Sequence, residues 1–298
     1  MKLQLLLIIT HTVFAQHDKD KKERILENID IDHRPHERKI IIDGIDRPYQ
    51  LAYHAKENRQ EIVYFSYNCG LFNESTFEVG YAVNGTPVPV PIKGVKNGFA
   101  TAINVKDNVI YYGGSDGIYR QNLSDPISEV VHLEHKYNVW DLFYKDHLYF
   151  ITFPKKRLYK YKTLNYSEIQ THIREKIYQF AIDGEGDTFI TNKTGLFMIK
   201  NGTNHRIHIK GATVFRAIAV NKKGEVHLCG RNEIYVVHKT KRVLREIAKI
   251  KNIFGLTFDI DNNIIYSDPH QIVRLVPAPG LGQNEKNKKS KIKNKGSL

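Results

Sequence analysis

The most constraining feature of this chain is a pattern that returns about every 40 residues. The clearest copy is QFAIDGEGDTFITNKTGLFMI, residues 179–199. It has an apolar strand ending in Asp, a Gly-rich turn, a second strand, then Gly followed by apolar and aromatic residues. The same skeleton starts at Gln50, Ala100, Trp140, Ala217 and Gly255. The residue before each turn is His54, Asn104, Tyr144, Asp183, Asn221 and Asp259, at spacings of 50, 40, 39, 38 and 38. An insertion around Asn68–Thr76 accounts for the longer first interval. A third strand begins at Gly117, Arg157, Gly195, Glu233 and Gln271, and short β-patterned segments such as Val88–Ile92, Glu129–Leu133 and Arg206–Lys210 close the units. Four short strands per repeat of this length are the signature of a propeller blade. Six anchors predict an all-β, six-bladed β-propeller over residues 39–276. A solenoid would need capping repeats, and none is visible.

The ends of the repeat predict how the ring closes. Pro277-Ala278-Pro279-Gly280 stops the strand pattern before the last unit has a fourth strand. Lys39-Ile40-Ile41-Ile42 is a β-branched run with no blade of its own. Paired beside Gln271–Val276, it would complete the last blade and remove two exposed edges.

Composition excludes several classes. Hydrophobic residues make up 41% of the 298 and charged residues 26%, which rules out wholesale disorder or a collagen-like fibre. Two cysteines cannot build a disulfide-rich scaffold or a four-Cys zinc site. No apolar run approaches the roughly 20 residues of a membrane-spanning helix. The formal charge of +13 is concentrated in part in the tail 277–298, where Lys286, Lys288, Lys289, Lys291, Lys293 and Lys295 face only Glu285. Such a tail has nothing to bury and stays solvated, with polyanion binding as its alternative. Nothing here marks a nucleic-acid-binding protein.

Residues 1–15, MKLQLLLIITHTVFA, read as a secretory signal peptide: a one-charge start, a short apolar stretch and a small residue before Gln16. Residues 16–38 form a densely charged, flexible leader. In a secreted chain the Asn-x-Ser/Thr sequons become glycan acceptors, and Asn73, Asn122, Asn165, Asn192 and Asn201 are the candidates. A sixth, Asn84, is weaker because Pro87 follows its Thr. Cys69 and Cys229 could pair in that compartment, but their spacing leaves the disulfide open.

Several motifs that look chemical read better as turns. Gly113-Gly114-Ser115-Asp116-Gly117 matches G-x-S-x-G, but the hydrolase elbow needs a strand entering a helix, and here two strands meet. The pairs His33/His36, His132/His135 and His205/His208 fall on strand-like segments, where positions three apart point to opposite faces. Asp259–Asn263 opens like a calcium loop but holds Ile264 and His270 where the Gly and Glu are required. It and Asp183–Asp187 are hairpin turns.

One constellation persists. Each inner strand opens near an aromatic: Tyr49, Phe99, Trp140, Tyr178, Phe215 and Phe254. Arg47, Gln50, Asn97, Asp141, Gln179 and Arg216 accompany them. In a propeller these strand starts converge on the axis, giving a funnel of rings with sparse polar anchors, the usual chemistry of a small-molecule site. Packing of the same rings between blades is the competing reading.

The strings IIDGIDRPYQLAY (41–53), NGFATAI (97–103), IYYGGSDGIYR (110–120) and TNKTGLF (191–197) resemble the ommochrome-binding proteins of insect haemolymph, over roughly residues 38–276. The resemblance implies a secreted, non-enzymatic carrier that holds a tryptophan-derived yellow pigment non-covalently, with no metal or other cofactor. Such a pigment is flat, conjugated and partly acidic. The rings of Tyr49, Phe99, Trp140, Tyr178 and Phe254 could stack on it. Arg47 or Arg216 could pair with a carboxylate or sulfate. The expected partner is a small aromatic pigment, the expected state a monomer and the expected location extracellular. Two alternatives stand beside it. One is a calcium-dependent propeller lactonase or esterase, for which Asn97, Asn138 and Asp141 are the available axial ligands. The other is a secreted protein-binding propeller.

Overall fold

The computed structural model describes residues 28–56, 60–70, 76–83, 88–161, 167–168 and 176–279. Residues 1–15, read above as a signal peptide, and the Lys-rich stretch beyond residue 279 lie outside the described residues, as do Asn73, Asn84 and Asn165. Every regular element among the described residues is a strand, and no described helix is long and apolar enough to cross a membrane.

Residues 40–274 form one compact unit, a six-bladed β-propeller. Two strands precede its blades, β1 (Ile29–Ile31) and β2 (Arg34–Asp43). Blade 1 holds β3 (Tyr49–Ala55), β4 (Glu61–Asn68), β5 (Phe77–Val83) and β6 (Val90–Pro91). Blade 2 holds β7 (Ala100–Asn104), β8 (Val109–Gly114), β9 (Gly117–Asn122) and β10 (Val131–Glu134). Blade 3 holds β11 (Val139–Lys145), β12 (His147–Thr152), β13 (Leu158–Lys160) and β14 (Ser167–Glu168). Blade 4 holds β15 (Gln179–Ile182), β16 (Thr188–Asn192), β17 (Gly195–Ile199) and β18 (Arg206–Ile209). Blade 5 holds β19 (Ala217–Val220), β20 (Val226–Cys229), β21 (Glu233–His238) and β22 (Val243–Lys249), and blade 6 holds β23 (Gly255–Phe258), β24 (Ile264–Ser267) and β25 (Gln271–Pro277). Each blade is an antiparallel meander, and in the last one β24 lies between β23 and β25. The innermost strands β3, β7, β11, β15, β19 and β23 each pack against the inner strands on both sides, β23 against β3 included.

The core lies between blades. Ile62 and Tyr64 of blade 1 pack against Ile110 and Tyr112 of blade 2, and Phe189 and Leu196 of blade 4 pack against Val226 and Leu228 of blade 5. Burying each such side chain contributes about 1.5–3 kcal/mol. Both faces of a middle strand are covered, so β4 and β16 are buried almost without interruption rather than at alternate residues.

The recurring anchor residues have a physical cause. Asn104, Asp183, Asn221 and Asp259 are almost fully buried, and each turns its Oδ1 onto backbone N–H groups of its own hairpin. Asp183 Oδ1 accepts from Glu185 N and Asp187 N, both at 2.9 Å. Asp259 Oδ1 accepts from Asp261 N at 3.0 Å and Asn263 N at 2.8 Å. Asn221 and Asn104 do the same for their own turns. These side-chain caps satisfy donors that a tight turn otherwise strands. Both Asp-rich segments are therefore turns. The three carboxylates of Asp183, Glu185 and Asp187 already surround the Lys239 ammonium, at 2.6, 2.7 and 2.5 Å.

The G-x-S-x-G segment is a two-residue hairpin between β8 and β9, with Gly114 paired to Gly117. Its first glycine is a packing requirement: a Cβ on Gly113 would sit 2.5 Å from Val139 Cγ1 of the next blade.

One feature of the fold differs from the sequence reading, and one that the reading left open is decided. Residues 29–31 and 34–38, assigned to a flexible leader, are strands that pair with each other, Ile29 opposite His36. Their Ile residues alternate with Asp and His, so charge density hid a short β pattern. The cysteines are both free thiols, Cys69 exposed and Cys229 buried. Burial pushes the Cys229 thiol up to about 12.

Candidate functional site

The strand starts of all six blades meet in a cavity of about 340 Å³. Tyr49, Phe99, Trp140, Tyr178, Phe215 and Phe254 all line it, each half-buried. Their positions are alike because each lies at the start of an inner strand or just before it, where the chain enters the ring. The rings touch in series. Tyr49 lies 5.1 Å from Phe254 and 5.4 Å from Phe99, and Phe99 stacks on Trp140 at 4.9 Å. Burial pushes the Tyr49 phenol above its ordinary value. The volume suits one small organic molecule, and most of the wall is apolar.

Arg216 reaches the cavity. Its guanidinium lies 4.3 Å from the Phe254 ring centroid and donates to Ile253 O at 2.9 Å. Arg47 is not brought there. Its side chain turns back in two 3.2 Å hydrogen bonds to the adjacent Asp46 carboxylate and is about half exposed, at 47%. A neighbouring carboxylate outcompetes the cavity for that guanidinium.

Two lining residues were missed by the repeat argument, Phe77 and Lys156. Phe77 opens β5 rather than an inner strand, and it reaches the axis after the blade 1 insertion. Its ring lies 4.8 Å from Phe99 and 5.9 Å from Tyr49. Asn97 holds that entry in place by accepting from Phe77 N at 2.7 Å. Lys156 sits in the hairpin between β12 and β13. Its Nζ lies 3.9 Å from the Tyr178 ring centroid and 5.4 Å from that of Trp140. An aromatic directly after the insertion was the only signal for Phe77. For Lys156 the only signal was the extra length of its hairpin.

The floor is polar. Gln50 lines both this cavity and a second, about 620 Å³ in volume, that runs to the opposite ends of the inner strands. Bulges in β3 and β11 shift the register between Tyr49 and Ala52 and between Val139 and Asp141. Gln50 sits in the left-handed region at φ 50°. A bulge re-aims a side chain, and here the two bulged strands meet: Gln50 donates to the Asp141 carboxyl. Leu142 N at 3.1 Å and Phe180 N also donate to Asp141. Full burial nevertheless pushes that carboxyl up to about 7.

An axial calcium does not fit these residues. Calcium takes six to eight oxygen ligands, whereas Asp141 faces hydrogen-bond donors. Asn138 is exposed and Asn97 is occupied by Phe77 N. Among the described residues, the single group of three or more Asp, Glu, His or Cys side chains close enough to share an ion is Asp183, Glu185 and Asp187, and it does not include Asp141.

Sequence comparison bears on what this cavity is. The ommochrome-binding protein of Manduca sexta is 28% identical over 244 residues, spanning 80% of this chain and 87% of that protein. The chain is a homologue of that protein. No family model matches the chain. Among solved structures, a gluconolactonase from Xanthomonas campestris superposes with a TM-score of 0.63 at 10% identity, covering 85% of this chain and 95% of that one. A chain of a nidogen/laminin complex superposes at 0.57 and 10% identity, covering 77% and 96%. One is an enzyme and the other a protein assembly, so these likenesses speak for the propeller alone.

Proposed function

We propose that this chain is a secreted, non-enzymatic carrier that holds an ommochrome-type aromatic pigment, without covalent attachment, in the ring-lined cavity. The observation that carries the reading is the convergence of Tyr49, Phe77, Phe99, Trp140, Tyr178, Phe215 and Phe254 on one cavity. Seven half-buried rings at a mouth are a surface for offset stacking on a flat conjugated molecule. The named homologue binds ommochrome, which supports the same cargo here. The ligand residues are Tyr49, Phe99, Trp140, Tyr178, Arg216 and Phe254, with Phe77 added.

The deciding experiment is an absorption spectrum of the protein purified from its native fluid. A visible band that co-elutes with the chain is expected. A colourless preparation that turns over lactones or esters, with turnover lost on chelation, would instead make it an enzyme of the gluconolactonase kind.

The same reading places the protein outside the cell, as a monomer. Asn122 and Asn201 are exposed and suit glycan attachment. Asn192 suits it poorly: it is only 2% exposed, and its Oδ1 accepts from Thr194 N and Oγ1, each at 2.7 Å. We also infer that β2 closes the ring as the fourth strand of blade 6. Support comes from the burial of Ile42 and Ile45, and from three bonds. Gln271 Nε2 donates to Asp43 Oδ1 at 3.0 Å, Ile45 N to His270 O at 3.0 Å and Arg47 N to Pro269 O at 2.8 Å.

A further inference from the structure

Lys156 owes its place to an irregularity in one blade. The hairpin between the second and third strands spans residues 115–116 in blade 2 and 193–194 in blade 4. It spans 230–232 in blade 5 and 268–270 in blade 6, but 153–157 in blade 3; only the insertion of blade 1, 69–76, is longer. The longer hairpin is held on both sides of Lys156. Lys156 N donates to Thr152 O at 2.7 Å, and Lys156 O accepts from Ile177 N at 3.0 Å. Between those bonds Lys156 adopts φ 54°, in the left-handed region that β-carbon sterics disfavour. Backbone strain of this kind persists where surrounding structure over-determines it, and it clusters at ligand sites. Here it points the ammonium over Tyr178 and Trp140.

The charge balance of the cavity is one-sided. Its ionic lining residues are Lys156 and Arg216, and no carboxylate lines it among the described residues. Both cations lie against rings, and among the described residues the acceptor Arg216 finds is a carbonyl, Ile253 O. Burial and the nearby Lys176 ammonium hold the Lys156 amine below its ordinary value, as expected of a cation lacking an anionic partner. Cations withdrawn from water need an opposite charge, and no described residue supplies one at this mouth. Arg47 and Asp46, just outside, already neutralise each other.

We infer that Lys156 and Arg216 are the two arms of a clamp that selects a planar aromatic anion, a carboxylate or sulfate, over its neutral counterpart. Lys156 is thus a specificity-determining residue of the cavity. The inference rests on the carrier reading: the rings hold the flat part of the ligand and the two cations read its acid.

Trp140 is the only tryptophan in the chain and lines the cavity, so intrinsic fluorescence reports occupancy. The full-length mature protein is titrated with quinoline-2-carboxylate and, separately, with the neutral quinoline-2-carboxamide. The acid is expected to quench with at least about tenfold higher affinity than the amide, a preference that shrinks as salt rises. Lys156→Gln and Arg216→Gln are each expected to lose about tenfold for the acid and little for the amide. Lys156→Arg should retain most of the preference. Circular dichroism confirms that each variant is folded. Equal binding of acid and amide, or an unchanged preference in Lys156→Gln, overturns the clamp and leaves the carrier reading standing. Absence of quenching by either probe, with native pigment also failing to bind, overturns both.

Discussion

The six inner strands carry two recurring sets of residues, one at each end, and the two sets do opposite things. At the strand starts are aromatics: Tyr49, Phe99, Trp140, Tyr178, Phe215 and Phe254. At or just beyond the strand ends are the turn anchors, among them Asn104, Asp183, Asn221 and Asp259. Both recur with the blade, so periodicity alone ranks them equally. Their partners separate them. The four Asx anchors are no more than 6% exposed, and each spends its Oδ1 on its own hairpin. The aromatics are half-buried, Tyr49, Phe99, Trp140 and Phe254 touch rings of neighbouring blades, and all six leave ring surface facing a cavity. A repeated residue whose oxygen caps the turn of its own repeat maintains the fold. A repeated residue that meets its counterparts from other repeats builds a site.

The contrast can be broken by experiment, beginning with the largest effect. If β2 closes the last blade as inferred, deleting residues 16–43 is expected to abolish cooperative thermal unfolding, whereas deleting 281–298 should leave the melt unchanged. A first deletion that melts like the intact chain would refute closure by β2. Next, Asp259→Ala strips two turn donors of their acceptor and Arg274 of a partner 3.2 Å away. A loss of about 3 kcal/mol is expected in denaturant unfolding, with pigment affinity per folded molecule unchanged. If the anchors also set affinity, the division between the two ends is wrong.

The floor between the ends gives a pH test. Asp141 has a folded-state value of about 7, against an ordinary 3.8, because burial penalises its charged form. The folded protein therefore holds that proton more tightly than the unfolded chain. The resulting stabilisation is full below about 4 and is lost as pH rises through about 7. Asp141→Asn should flatten the melting temperature across that window. A slope matching that of the unsubstituted protein would show that Asp141 does not titrate there. The smallest stability effect is expected at the rim. Trp140→Ala should cost no more than about 1–2 kcal/mol, since the ring is only half-buried. Pigment affinity, followed by the pigment's own absorbance, should fall at least tenfold, which is about 1.4 kcal/mol. Unchanged affinity in that folded variant would remove the aromatic mouth from consideration.

Much of this architecture was legible because it is local. An apolar run, an Asx or aromatic before a turn and a Gly opening the third strand are written within each repeat. The third strands consequently begin where the repeat places them, at Gly117, Gly195, Glu233 and Gln271, and one residue late in blade 3, at Leu158. Six of the seven rings were legible for the same reason: a position at the head of an inner strand is fixed by counting. Phe77 was not, because it reaches the axis through an insertion that has no equivalent in the other blades. Arg47 was misplaced because the choice between Asp46 and the cavity depends on side-chain direction, which spacing does not contain. The strand β1 was hidden by charges in a segment too short for its alternation to stand out.

The chain's own residues thus determined the all-β class, the number of blades and the set of rings that head the inner strands, since each follows from contacts within about 40 residues. Tertiary structure alone decided what those rings enclose. Whether a half-buried ring packs between blades or faces a cavity depends on how six separate hairpins converge, and no one repeat encodes that. The cationic side of the cavity was decided the same way. Lys156 is one of 45 Lys and Arg residues, and only the extra length of its hairpin distinguishes it. Two backbone bonds, one to Thr152 and one from Ile177, turn it into the mouth. The second reaches a residue across a stretch of chain whose path no local pattern specifies.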